Sequence, residues 1–148
     1  GLRSPYALIL PSSSAAGSVR RWPIENYIKI AEALNNEGLQ PVLSGTEIDR
    51  PITSEIAAAC NECLDLTGKP NLFLLAELAL GSSIVIGNNT GPVFLAARLN
   101  VPTVMLMGAD TDASMSAPYG TKARWMQKER LDQLTFDEVW ETVKVALE

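Results

Sequence analysis

The feature that most limits how this chain can fold is a series of short, mostly apolar runs alternating with helical patterns. Tyr6-Ala7-Leu8-Ile9-Leu10, closed by Pro11, is the first run. Pro41–Ser44, Cys63–Leu66, Ser83–Ile86, Val101–Met107 and Arg124–Met126 follow it. A strand with one wet face would alternate polar and apolar residues. Runs apolar throughout predict strands covered on both faces, as in a parallel sheet. Between the first two runs, Tyr27, Ile30, Ala31 and Leu34 share one face of a helix that starts near Ile24 and stops at Gly38. Further helices are predicted over Ile52–Ala59, from an Asn71 cap to Leu80, and over Gly91–Leu99. The last opens at Thr135, with Glu138 completing a capping box. In it Val139, Val143 and Leu147 recur every fourth position, and Phe136, Trp140 and Val143 share a face. The expectation is one α/β domain over residues 1–148, doubly wound around a mainly parallel six-stranded sheet, without internal repeat or interdomain linker.

Composition narrows the chemistry. With 47% hydrophobic and 20% charged residues, the 148-residue chain can build a core without disulfide or metal staples, and disorder or a coiled coil is excluded. Seventeen acidic residues outweigh twelve basic ones, and Arg20-Arg21 is the only adjacent basic pair, so no nucleic-acid partner is expected. The chain contains no histidine. That removes Ser-His-Asp and Cys-His nucleophile systems, the common zinc sites and histidine acid–base work. Carboxylates, hydroxyls, backbone amides and Arg/Lys remain. Cys60 and Cys63 form a C-x-x-C, but they follow the run Ile56–Ala59. That places them at or beyond a helix C-terminus, where no dipole lowers a thiol pKa, so two reduced thiols are the better reading than a redox pair or half a zinc site. No metal is expected. No stretch reaches the roughly 18 apolar residues of a membrane span, and the first residues lack the apolar core of a signal peptide. Beginning at Gly1 rather than Met, the sequence reads as an excised segment.

In parallel sheets ligands gather at the C-terminal ends of the strands. After the first run comes a loop from Pro11 through Ser12, Ser13 and Ser14 to Arg20-Arg21-Trp22-Pro23. Its small residues, hydroxyls and guanidinium groups suit a diphosphate cradle, and equally an ordinary solvated loop. It is neither G-x-x-x-x-G-K-[ST] nor G-x-G-x-x-G. After the second run stands Gly45-Thr46-Glu47-Ile48-Asp49-Arg50. Asp49 there could accept ribose hydroxyls, although taken alone it reads more readily as decoration of a helix start opened by Pro51. After the fourth run Gly87-Asn88-Asn89-Thr90-Gly91-Pro92 leads straight into a helix, whose first amides are expected to make an anion site facing the first loop, the plainer alternative being a tight turn that suits Asn and Gly.

These residues resemble glycosyltransferase family 9, the ADP-heptose:lipopolysaccharide heptosyltransferases. The family pattern N-D-[TS]-G-x-x-H-x-A-A matches Asn88-Asn89-Thr90-Gly91 through Ala96-Ala97, followed by Val101-Pro102-Thr103, Gly108 and Ala117-Pro118-Tyr119-Gly120. [KR]-[KR]-W-P matches Arg20-Arg21-Trp22-Pro23, and L-x-G-K matches Leu66-Thr67-Gly68-Lys69, with Pro70 next. The resemblance spans nearly the whole chain in order and spacing.

It implies the C-terminal, donor-binding half of a GT-B glycosyltransferase, an inverting and metal-independent enzyme without a cofactor, with two Rossmann-like domains. The donor would be a nucleotide-sugar, ADP-heptose or a related one. Ser12, Ser13, Ser14 and Arg20 would hold its diphosphate, with Arg20 stabilising the leaving group. Asp49 would take the ribose, Lys69 and Pro70 would lie near the base, and Asn89, Thr90 and Gly91 would meet the sugar and phosphates. A lipid-linked or lipopolysaccharide-core acceptor would bind through an N-terminal domain that also carries the general base. The protein would then be cytoplasmic, at the inner membrane's cytoplasmic face, and this segment alone would bind donor without transferring sugar. Two positions depart from the pattern: Asn89 stands for the usual Asp and Phe94 for the usual His. They leave open a catalytically silent nucleotide- or phosphate-binding module. An NAD-type oxidoreductase lacks its glycine fingerprint. Trp22, Trp125 and Met115 can be read as acceptor or membrane contacts, but Trp22 reads better as packing at the base of the loop.

Overall fold

The computed structural model describes residues 1–11, 21–108 and 120–148. Six strands, β1 (Tyr6–Leu10), β2 (Gln40–Leu43), β3 (Leu64–Asp65), β4 (Ile84–Asn88), β5 (Thr103–Gly108) and β6 (Ala123–Lys128), form one sheet in the order β3-β2-β1-β4-β5-β6. Every pairing is parallel. The helices are α1 (Ile24–Asn36), α2 (Arg50–Ala59), α3 (Leu72–Gly81), α4 (Gly91–Arg98) and α5 (Phe136–Ala146), with short 3-10 turns at Glu47–Asp49 and Leu131–Gln133.

The apolar strand runs are explained by two cores. Successive strand side chains point to opposite faces. Ala7, Ile9, Ile84, Ile86, Val104 and Leu106 therefore enter one cluster, with α1, α2 and α5. Tyr6, Leu8, Leu10, Val85, Met105 and Met107 enter the other, with α3 and α4. A polar residue in the middle of β1, β4 or β5 would be buried whichever way it pointed. Both layers are built as the doubly wound pattern requires.

Local signals set the helix ends. Asn71 Oδ1 accepts from the Leu74 amide at 2.9 Å, and Thr135 Oγ1 accepts from the Glu138 amide at 3.1 Å while Glu138 Oε2 accepts from the Thr135 amide at 2.9 Å. Gly38 follows α1 at φ +86°, a conformation open to glycine. β2 begins one residue before Pro41. The proline is tolerated because β3 pairs only with Val42 and Leu43, so the missing N–H lies beyond that ladder. Cys60 ends α2 and both cysteines are free thiols. Burial, then the hydrogen bond with Cys60, pushes the Cys63 thiol well above its usual pKa, which suits an inert side chain. Trp22 is fully buried at the base of the first loop, its Nε1 donating to the Leu134 carbonyl at 2.8 Å, so it is no contact surface. Trp125 on β6 is 45% exposed, and Met115 lies outside the described residues. No helix among the described residues is long and apolar enough to cross a membrane.

Candidate functional site at the strand ends

The strand order reverses direction between β1 and β4, and the crevice outside the carboxyl ends of strands at such a point is where open α/β sheets bind ligands. A cavity of about 480 Å³ lies at these ends, walled by Leu10, by Ser44, Gly45, Thr46 and Asp49 beyond β2, by Pro70 beyond β3, and by Thr90, Gly91 and Pro92 at the start of α4. Ile48 and Leu75 complete a mostly apolar wall. A hollow of about 560 Å³ lies at the opposite edge, where Pro5, Leu39, Ser83, Pro102 and Lys122 precede their strands. That is the end of the sheet at which strand-end loops do not gather.

Asp49, Pro70, Thr90 and Gly91 are thus brought together around one cavity. Lys69 is exposed and lies outside its wall. Asn89 is half-buried beside the wall and donates its backbone N–H to the Leu106 carbonyl at 3.1 Å. Ser12, Ser13, Ser14 and Arg20 lie outside the described residues. Their neighbour Arg21 is half-buried, and its Nε is buried without a hydrogen-bond partner in the protein. A buried guanidinium donor left unsatisfied is unfavourable unless a ligand completes it.

The Asp49 carboxylate is partly committed. Its Oδ2 accepts from the Thr46 amide at 2.7 Å and the Thr46 hydroxyl at 3.1 Å. Gly45 allows this, since a Cβ there would come within 2.6 Å of the same oxygen. So Asp49 holds its own turn in shape, as the helix-start reading expects, while 8% exposed at the cavity wall. Oδ1 is the oxygen that these two hydrogen bonds do not engage.

The α4 N-terminus offers fewer donors than a helix start usually does. Thr90 donates to the Asn88 carbonyl at 2.8 Å, Pro92 has no N–H, and the Val93 amide turns back to the Thr90 carbonyl at 3.1 Å. The Gly91 N–H remains. A Cβ on Gly91 would meet nothing within 4 Å, so the chain at the start of α4 borders open space. Gly87 has the opposite reason to be glycine: a Cβ there would strike the Leu10 carbonyl oxygen, where the ends of β1 and β4 pair. Phe94, one turn into α4, packs half-buried against the core on the α3 and α4 side.

Sequence reasoning missed Leu10, Ser44, Gly45, Thr46, Ile48, Leu75 and Pro92 as wall residues. Leu10, Ser44 and Pro92 had a usable signal, their place at a strand end or at the first helical position. Leu75 had none, because its periodicity reads as core. Among the described residues no group of three or more Cys, Asp or Glu is placed to hold a metal ion.

Comparison with known proteins bears on the family and the fold. The chain is 34% identical over 112 residues to lipooligosaccharide heptosyltransferase 2 of Haemophilus influenzae, covering 72% of this chain and 32% of that protein. The structure of the E. coli ADP-heptose lipopolysaccharide heptosyltransferase II superposes with a TM-score of 0.89 at 28% identity, over 99% of this chain and 48% of that one. An E. coli heptosyltransferase solved with ADP shares the fold, with a TM-score of 0.85 at 23% identity over 95% of this chain and 44% of that one. The chain therefore spans about a third of the curated relative and about half of each solved structure, and its sheet is that of one Rossmann-like half of a GT-B enzyme. Residues 1–143 match glycosyltransferase family 9 (heptosyltransferase), and the chain belongs to that family of glycosyltransferases.

Proposed function

We propose that this domain is the donor-binding half of an inverting, metal-independent glycosyltransferase whose donor is a nucleoside-diphosphate sugar, ADP-heptose or a close relative. The observation that carries the reading is the gathering of Asp49, Pro70, Thr90 and Gly91 around one strand-end cavity. An apolar wall with few polar groups suits a nucleoside. The Gly91 amide and the guanidinium groups of Arg20 and Arg21 suit a diphosphate. In transfer, an acceptor hydroxyl attacks the anomeric carbon, the bond to the phosphate oxygen breaks, and the nucleoside diphosphate leaves with the charge. Arg20 and the α4 start stabilise that charge, and a general base outside this chain takes the hydroxyl proton. The acceptor is a lipid-linked or lipopolysaccharide-core sugar met by an N-terminal domain, in the cytoplasm at the inner membrane's cytoplasmic face. This chain by itself binds donor and transfers nothing.

Isothermal titration of the chain with ADP, UDP and GDP tests the reading. Micromolar binding of one of them, weakened by Arg20→Ala, is expected. No binding to any of the three would sink it.

A second reading, a catalytically silent nucleotide-binding module, is favoured by one placement: Phe94 packs on the core and brings no polar group to the site. Sugar transfer by the full-length protein carrying Asn89 and Phe94 would exclude it. Transfer gained only on Asn89→Asp with Phe94→His would support it.

A further inference from the structure

The loops that follow β2 and β3 are laced to one another by contacts whose side chains, those of Glu47, Arg50, Thr53 and Thr67, do not line the cavity. The Gly68 N–H donates to the Gly45 carbonyl at 2.8 Å. Arg50 grips the Glu47 carboxylate with both arms, Nε to Oε2 at 2.8 Å and one terminal nitrogen to Oε1 at 2.7 Å. The same terminal nitrogen donates to the Thr67 carbonyl at 2.8 Å. Behind them, fully buried, the Thr67 hydroxyl donates to the Thr53 hydroxyl at 2.8 Å, and Thr53 in turn reaches the Asp49 carbonyl at 3.4 Å. Gly68, at φ +77°, holds a conformation that favours glycine and passes beside the Glu47 carboxylate.

These ties join two walls of one site. Asp49 and Thr46 stand on the first loop and Pro70 on the second. Arg50 and Glu47 are largely exposed, with 46% and 69% of their side chains accessible. An exposed ion pair contributes little to folding stability. A two-armed guanidinium grip adds geometry more than energy, because the planar fork fixes the direction as well as the distance of both partners. The carbonyl that Arg50 holds belongs to Thr67, three residues before Pro70.

We propose that Arg50 and the buried Thr53–Thr67 hydroxyl pair are positioning residues. They hold Asp49 and Pro70 at the separation that a nucleoside requires, and so set affinity for the nucleoside part of the donor without touching it. The inference rests on the donor-binding reading above. It assigns the diphosphate to other elements, the α4 start and the first loop.

Calorimetric titration of the chain with ADP and, separately, with inorganic pyrophosphate tests it, alongside melting temperatures. Arg50→Lys keeps the charge but loses the fork, and Thr67→Val keeps the shape but loses the hydroxyl. Each is expected to weaken ADP roughly tenfold and to leave pyrophosphate binding unchanged. Thr67→Ser, which restores a hydroxyl, is expected to bind ADP within about twofold of the unaltered chain. Equal ADP affinity in all variants, or equal weakening of ADP and pyrophosphate, would overturn the assignment. Arg50→Lys, at an exposed position, stays folded and keeps the test decisive if Thr67→Val does not. Failure of the unaltered chain to bind ADP at all would overturn the donor reading itself, and this inference with it.

Discussion

The Tyr27 hydroxyl donates a 2.6 Å hydrogen bond to Asn88 Oδ1 in the fully buried interior, 61 residues away in sequence. Tyr27 also meets Trp22 edge to face, with ring centroids 5.0 Å apart. Trp22 follows Arg21, and Asn88 precedes Asn89, Thr90 and Gly91. One aromatic pair thus ties the base of the first loop to the turn that opens α4. Burial drives the Tyr27 pKa far upward, so the hydroxyl stays a donor across the working pH range.

Tyr27→Phe removes this donor while keeping the ring and its contact with Trp22. Losing a buried hydrogen bond is expected to lower the unfolding free energy by about 1–2 kcal/mol. Urea denaturation followed by tryptophan fluorescence reads it. An unchanged midpoint would mean that the Asn88 amide re-partners without loss.

Gly91→Ala separates stability from binding. Gly91 is the first residue of α4, and alanine there improves helix propensity by up to about 1 kcal/mol. The added methyl meets nothing within 4 Å and enters the space bordering the α4 start. The variant is expected to melt at the same or a higher temperature and to bind ADP at least tenfold more weakly. Wild-type affinity would place the diphosphate elsewhere.

Asp49 keeps one oxygen in its own turn, so one ribose hydroxyl is expected to be read strongly. Of 2′-deoxy-ADP and 3′-deoxy-ADP, one should bind as ADP does and the other roughly tenfold more weakly. Equal losses for both would show that Thr46 releases Oδ2 when ligand binds.

The start of α5 carries a pH dependence. Glu138 is held below the ordinary carboxyl value of 4.5, first by the Thr135 backbone N–H and then by Lys128. A group whose pKa is depressed on folding stabilises the fold above its unfolded pKa and ceases to do so as pH falls through its folded pKa. Glu138→Gln is therefore expected to be less stable than the parent at pH 7, with the gap closing below pH 4.5. A gap that persists undiminished at pH 3 would show that the charge of Glu138 contributes nothing.

Much of the fold was legible because its signals are local. The Asn71 and Thr135 caps, the Gly38 stop and the buried stripe of Tyr27, Ile30, Ala31 and Leu34 depend on residues within one or two helical turns. The candidate site was legible in part. Asp49, Thr90 and Gly91 could be suspected because each follows a strand. The engagement of Asp49 with Thr46 was visible only as a spacing that also fits a plain helix start. The scarcity of free amides at α4 was legible only in part: Pro92 shows its missing N–H in the sequence, but the backbone bonds that occupy the Thr90 and Val93 amides and leave Gly91 appear only in the fold.

By itself the sequence determined that this chain forms a two-faced parallel sheet, since near-neighbour periodicity dictates burial on both sides of each strand. Tertiary structure alone decided which strand-end residues meet. Asp49, Pro70 and Gly91 share a cavity because β1 lies between β2 and β4, an order set by long-range packing and by no local pattern. The same packing brings Thr53 to Thr67 and Tyr27 to Asn88, pairs whose hydrogen bonds form only after the sheet has assembled.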